Sequence, residues 1–214
     1  MMLRPARIFR LKTQKQTIGY RGEGTTMGWV HGIECEFMNY PKPLLEAWEE
    51  GDYSFLVESR ASNYIKEILV CKAKKRPGRR FFGEAYIATR IEMKDGWYSS
   101  FKWLTSPKWL TGYRLDFFRG APFFEALMEY LGPKIILRLQ EKTKVYWKGT
   151  EGDSTKPVAP DLLLIGKDGE IRFIESKMPW DTIRPNQVAG LKLIKKYVTV
   201  NVPVRVSIIN LHPE

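Results

Sequence analysis

Two acids and a lysine in the last third of the sequence have the types and spacing for phosphate chemistry. Asp161 precedes the apolar run Leu162-Leu163-Leu164-Ile165, and Glu175-Ser176-Lys177 closes a second run that starts at Ile171. Between the runs lies Gly166-Lys167-Asp168-Gly169-Glu170. A three-residue loop Lys167-Asp168-Gly169, with Gly169 left-handed, is a common hairpin connection. Such a loop makes Ile165 face Ile171, and counting outward by pairs sets Asp161 opposite Glu175, with Cβ atoms about 5 Å apart. Carboxylates that close raise one another's pKa unless something positive lies between them. Because side chains alternate along a strand, Lys177 shares the face of Glu175 and stands at the rim of that cation site.

Carboxylates without histidine or thiolate suit a hard ion that prefers oxygen ligands, so magnesium or manganese is the expected cofactor and zinc is not. The two histidines, His31 and His212, lie away from the motif in sequence. Leu163, Ile165, Ile171 and Phe173 fall on one face of the hairpin, and Leu162, Leu164 and Ile174 on the other. The hairpin should therefore be buried on both sides, and charged residues at its end call for a partner or a function.

The elements around the hairpin follow from local pattern. Pro122 opens a helix with an apolar stripe of Phe124, Leu127, Met128 and Leu131, stopped by Gly132-Pro133. Ile135 to Leu139 reads as a strand, as do Leu162 to Ile165, Ile171 to Ser176 and Val204 to Ile209. Asn186 to Val198 reads as a helix on which Gln187, Leu191, Ile194 and Val198 share a stripe, so a polar amide begins a buried face. The order of helix, three strands, helix and strand describes an α/β sandwich over residues 116–214. Residues 1–115 read as a separate β-rich α+β domain. It has a helix at Pro43 to Glu50 and strands at Ser54 to Glu58, Tyr64 to Cys71, Phe81 to Ile91 and Trp97 to Leu104.

Pro160-Asp161, an apolar strand, a turn and then Glu175-Ser176-Lys177 resembles the PD-(D/E)XK nuclease superfamily. Residues 160–187 look in particular like its VRR-NUC branch and like archaeal Holliday-junction resolvases. The resemblance covers about residues 121–211. It implies a restriction-endonuclease-like α/β sandwich with a mixed sheet, acting as a metal-dependent endonuclease on DNA of branched or restriction-type substrates. Under it Asp161 and Glu175 are metal ligands, and Lys177 orients the attacking water or steadies the transition state. Glu125, on the Pro122 to Leu131 helix, corresponds to an upstream glutamate that adds to the metal site, with Glu129 as its rival one turn on. Gln187 lies beside the active site, or else satisfies the N-terminal groups of its own helix. A homodimer is implied because a duplex presents two strands.

Charge supports a polyanionic partner. The chain has 35 Lys and Arg against 24 Asp and Glu, a net +11, with 20 of the basic and 12 of the acidic residues before residue 116. Lys72, Lys74, Lys75, Arg76, Arg79 and Arg80 cluster at an expected hairpin tip. With Lys102, in an aromatic-rich stretch, and Arg184, before the second helix, they are the candidate phosphate contacts. Asp181, in the same loop as Arg184, is a weaker candidate. Two cysteines, Cys35 and Cys71, are too few for a disulfide framework or a thiolate metal site. No signal-like or membrane-spanning stretch is evident, which points to a cytoplasmic protein without membrane partners. The glycines around Gly19 to Gly24 lack the Gly-Lys-Ser/Thr of a nucleotide loop. A non-catalytic nucleic-acid-binding or partner-recruiting module on the same fold, and a nuclease acting on RNA, are the competing readings.

Overall fold

The computed structural model describes residues 28–30, 32–99, 103–104, 121–147 and 156–214. Its centre is the expected hairpin. Strand β4 (Leu162–Ile165) pairs antiparallel with β5 (Ile171–Lys177), with Ile165 opposite Ile171 and Leu162 opposite Ile174. Gly166 donates to the Glu170 carbonyl at 2.8 Å, leaving Lys167 to Gly169 as the loop, and Gly169 takes φ 85°. Glycine carries no Cβ to oppose that conformation.

The hairpin belongs to a six-stranded mixed sheet of order β1-β2-β6-β5-β4-β3. The other strands are β1 (Gly28–Val30), β2 (Ile33–Tyr40), β3 (Asp95–Tyr98) and β6 (Val204–Pro213). β2, β6 and β5 run parallel, and the pairs β1-β2, β5-β4 and β4-β3 are antiparallel. The fold is thus mixed α/β. Strands from before and after residue 116 share this sheet, since β2 is bonded to β6 and β3 to β4.

The described residues before 116 hold more helix than strand, which corrects the β-rich expectation. Helix α1 (Lys42–Glu50) lies where a helix is expected, and α2 (Ser54–Val57), α3 (Asn63–Lys75) and α4 (Phe82–Arg90) occupy most of the segments read as strands. Two local signals favour α3. Ser62 caps it by accepting from the Ile65 N–H, and Ile65, Ile68, Leu69 and Ala73 recur at helical spacing on its buried side. α4 is buried almost all round, with Phe82, Gly83 and Ala85 to Ala88 covered, so it lacks the polar stripe that marks a surface helix. After β3 come α5 (Ala121–Tyr130) and α6 (Pro133–Trp147), the latter replacing the strand expected at Ile135 to Leu139. α7 (Pro185–Tyr197) connects β5 to its parallel neighbour β6. Among the described residues no helix is long and apolar enough to cross a membrane, and Cys35 and Cys71 form no disulfide.

Each face of the sheet has its own core. Leu163, Ile165, Ile171 and Phe173 pack with Phe123, Leu127, Ile136, Leu139, Leu191 and Ile194 of α5 to α7. Leu162, Leu164 and Ile174 pack with Trp48, Leu56, Ile65, Leu69, Phe82 and Tyr86 of α1 to α4. Trp97 and Trp103 are buried in the first core, so these two aromatics of the basic aromatic stretch are structural.

Two glycines bring helices onto the ends of the hairpin strands. At Gly190 of α7 a Cβ would stand 1.8 Å from the Val158 carbonyl oxygen, in the segment that leads into Asp161. At Gly83 of α4 a Cβ would stand 2.4 Å from the Ser176 hydroxyl oxygen on β5. Backbone cannot yield as a side-chain end can. Gly190→Ala is therefore expected to destabilise at the upper end of the about 1–3 kcal/mol typical of overpacking. For a domain this size that is a fall of about 5–10 °C in a thermal melt. Gly83→Ala, which meets a hydroxyl able to rotate, should cost less.

Candidate active site

β4 and β5 end beside a pocket of about 360 Å³, lined by Glu84, Asp161, Glu175, Lys177, Asp181 and Gln187 with Arg76, Arg79, Arg80 and Trp180 among its other walls. Its volume is at the small end of ligand-binding clefts.

Asp161 is fixed from both sides. Its carbonyl accepts from the Ser99 N–H at 2.7 Å, continuing the β3 ladder, and its carboxylate accepts from the Ser176 N–H at 3.0 Å across the hairpin. The Asp161 and Glu175 carboxyl groups are close enough to perturb each other's charge. Glu175 is 1% exposed and Lys177 7% exposed, so this is charge inside the protein rather than at its surface. The Lys177 ammonium donates to Glu175 Oε1 at 2.8 Å, and the Gln187 amide donates to the same oxygen. Gln187 Oε1 meanwhile accepts from the Arg184 backbone N–H at 3.0 Å. One amide thus does both things its position allowed, capping the start of α7 with its oxygen and holding Glu175 with its nitrogen.

A further acid of the pocket, besides Asp161, Glu175 and Asp181, is Glu84, which sequence reasoning missed. It lies in the first turn of α4, next to Gly83, whose close approach to Ser176 sets the helix against the end of β5. Phe81 before it takes φ 66°, ψ 0°, a left-handed conformation rare for a bulky residue and unique to it among the described non-glycine residues. A strained residue at a pocket wall is one of the marks of a functional site.

Glu125 and Glu129, by contrast, are exposed on α5 and line no part of the pocket. That overturns the placement of Glu125 at the metal site. α5 packs on the opposite face of the sheet from α4. A signal for Glu84 existed, since a lone carboxylate stands inside the apolar run Phe81-Phe82-Gly83-Glu84-Ala85-Tyr86-Ile87.

Burial and mutual repulsion shift Glu84, Asp161 and Glu175 in the same direction. Burial pushes Glu175 well above the usual carboxylate range, and the neighbouring Asp161 charge pushes it further against the pull of Lys177. Burial likewise raises Asp161, although the Ser176 N–H, Lys177 and the Glu175 contact oppose it. Glu84 is pushed up to about 8, by burial first and then by the charge of Asp161. Clustered carboxylates raised in this way are the electrostatic signature of a site that favours a cation. The donors are all oxygen, the set preferred by magnesium or manganese. As placed, however, no three His, Cys, Asp or Glu side chains among the described residues are assembled to hold a metal. One Glu175 oxygen is already taken by Lys177 and Gln187.

The basic residues divide. Arg76, Arg79 and Arg80 are exposed and line the mouth, on the loop between α3 and α4. Arg79 pairs with Glu49 at 2.5 Å and lies 4.9 Å from the ring centre of Trp180, itself 48% exposed. Lys72, Lys74 and Lys75 form the last turn of α3 rather than a hairpin tip, where cations complement the helix dipole. Lys72 lies over the rings of Phe81 and Tyr98, at 5.6 and 5.1 Å. Arg184 is exposed at the start of α7 but is not part of the pocket wall, whereas Asp181 is. Lys102 falls outside the described residues. Comparison with known protein families, with characterised proteins and with solved structures finds no match to this chain.

Proposed function

We propose that the protein is a metal-dependent nuclease of the PD-(D/E)XK type, hydrolysing phosphodiester bonds in DNA at the pocket where β4 and β5 end. The observation that carries this reading is the convergence of Asp161, Glu175, Lys177 and Glu84 in one pocket rimmed by arginines. The order α4-β3-α5-α6-β4-β5-α7-β6 supports it. It supplies a glutamate-bearing helix, three adjacent antiparallel strands with the acids at their end, and a helical crossover to a parallel strand.

Asp161 and Glu175 would hold the ion, with Glu84 on the facing wall adding a ligand or orienting the site. When bound, such an ion offsets charge on the phosphoryl oxygens and lowers the pKa of water. Lys177, held by Glu175, presents an ammonium to the reacting phosphate and to the water that attacks it. Gln187 fixes the Glu175 carboxylate by spending one oxygen on a hydrogen bond. Arg76, Arg79 and Arg80 meet the strand at the mouth, where bidentate guanidinium contacts suit phosphate.

The decisive measurement is cleavage of linear duplex, single-stranded, branched and RNA substrates with magnesium, with manganese and with chelator. Cutting that appears with either ion and vanishes with chelator is the expected result, with DNA preferred. The internal Lys177 to Glu175 ion pair favours one rival, a nucleic-acid-binding module whose acids are neutralised by the protein itself. That reading wins if no substrate is cut under any condition while duplex DNA is still bound.

A further inference from the structure

Away from the pocket, the pair of helices α6 and α7 carries a concentration of cations that the pocket does not use. Their sequences hold seven Lys and Arg, all exposed, against the single carboxylate of Glu141. Three of the seven meet over one ring. Arg138 lies 5.2 Å, Lys142 5.8 Å and Lys196 5.4 Å from the ring centre of Tyr197. Among the described residues none of these three forms an ion pair.

The arrangement is unfavourable by itself. Arg138 and Lys142 are four apart on α6, and Lys192 and Lys196 four apart on α7, the spacing at which like charges repel along a helix. A tyrosine face offsets part of that repulsion without neutralising it. A cluster of this kind raises the local concentration of anions, and a polyanion satisfies several of its members at once.

We infer that this α6–α7 face is a second nucleic-acid contact surface, gripping phosphates away from the bond to be cut. That the face binds nucleic acid stands on its charge alone, and its role beside the pocket rests on the nuclease reading. α7 connects the two places. Gln187 in its first turn touches Glu175, and Lys196 lies nine residues along the helix, about 14 Å at 1.5 Å per residue. For a duplex lying along α7, that span matches about four steps at 3.4 Å of duplex axis per nucleotide of one strand. A strand with its reacting phosphate in the pocket would reach the cluster about four nucleotides later.

The test is fluorescence anisotropy of a labelled 20-base-pair DNA, and of the matching RNA, across a salt series without divalent metal. Wild type is compared with the Arg138→Gln/Lys142→Gln/Lys196→Gln variant, with Lys196→Gln alone and with Glu175→Gln. Each lost phosphate contact should flatten the slope of log K against log salt by about 0.9, so the triple variant should lose about 2.7 and the single variant about 0.9. Glu175→Gln should keep the wild-type slope or a steeper one. The single variant preserves the test if the triple one melts early. Unchanged slopes in both variants on both nucleic acids overturn the inference. So does loss of binding to vesicles containing anionic lipid with DNA and RNA binding intact, which assigns the face to a membrane surface. A flattened slope in a protein that cuts nothing upholds this surface while the nuclease reading fails.

Discussion

Glu175→Gln is expected to lower metal-dependent cleavage by about 10³-fold or more in a protein that still folds. Glutamine keeps an oxygen where Lys177 and Gln187 donate, so the hydrogen-bond geometry around this 1%-exposed side chain survives. What disappears is the negative charge that would grip a cation and balance the ammonium. Loss of a single preorganised electrostatic contact costs about 10²–10³ in rate, and loss of a metal ligand should exceed it. Glu175→Ala is a poorer test. It strands the buried Lys177 without its partner, a penalty of about 3–5 kcal/mol that mixes unfolding with chemistry. Single-turnover cleavage alongside circular dichroism separates the two effects. Wild-type cutting by a folded Glu175→Gln protein would place the chemistry somewhere else.

Glu84→Gln carries the second large effect, because here the structure departs from the sequence reading. Activity should fall by about 10–100-fold, the usual consequence of losing a group that supports metal ligands. Glu125→Gln and Glu129→Gln, on an exposed stretch of α5, should leave activity unchanged. Stability should move the other way. The Glu84 carboxyl is pushed from 4.5 up to about 8, so the folded protein binds a proton that the unfolded chain has released. The stabilisation this gives is complete below about pH 4.5, fades as pH rises, and is gone above about 8. Metal-free wild type should therefore lose melting temperature across that window, and Glu84→Gln should lose less. At pH 8 the variant should melt above wild type. A variant melting below wild type at pH 8, or losing more across the window, would show that Glu84 is not held against its charge.

How much of this was readable beforehand depends on how local each determinant was. The β4–β5 hairpin follows from a loop of three residues and alternating apolar positions, both contained within 17 residues from Asp161 to Lys177. Helices α1, α5 and α7 carry their own start and stop signals, such as Gly51 with φ 93° after α1. Glu84 and Glu125 show why the rest was harder. Both follow phenylalanines and precede alanine, in Phe81-Phe82-Gly83-Glu84-Ala85 and Phe123-Phe124-Glu125-Ala126. Locally they differ in little more than Gly83 and the apolar run around Glu84. What separates them is tertiary, namely which face of the sheet each helix covers and whether a glycine lets it touch β5. The β-branched and aromatic residues of α3 and α4 favour strands, a preference that packing overrides. The parallel pairing of β2 with β6 joins residues 34–40 to residues 207–213, far beyond the reach of local pattern.

That pairing also constrains how the chain can be made. β6 separates β2 from β5, so during synthesis two of the three parallel strands wait with unmatched edges until the 204–213 segment leaves the ribosome. Contacts of such long sequence separation are slow to close, and edges left open in the meantime invite pairing with other chains. Production at low temperature, or with a chaperone that shields nascent strands, should yield more active material than rapid expression. Trimming even a few residues from the last strand should harm recovery more than removing as many from an exposed loop.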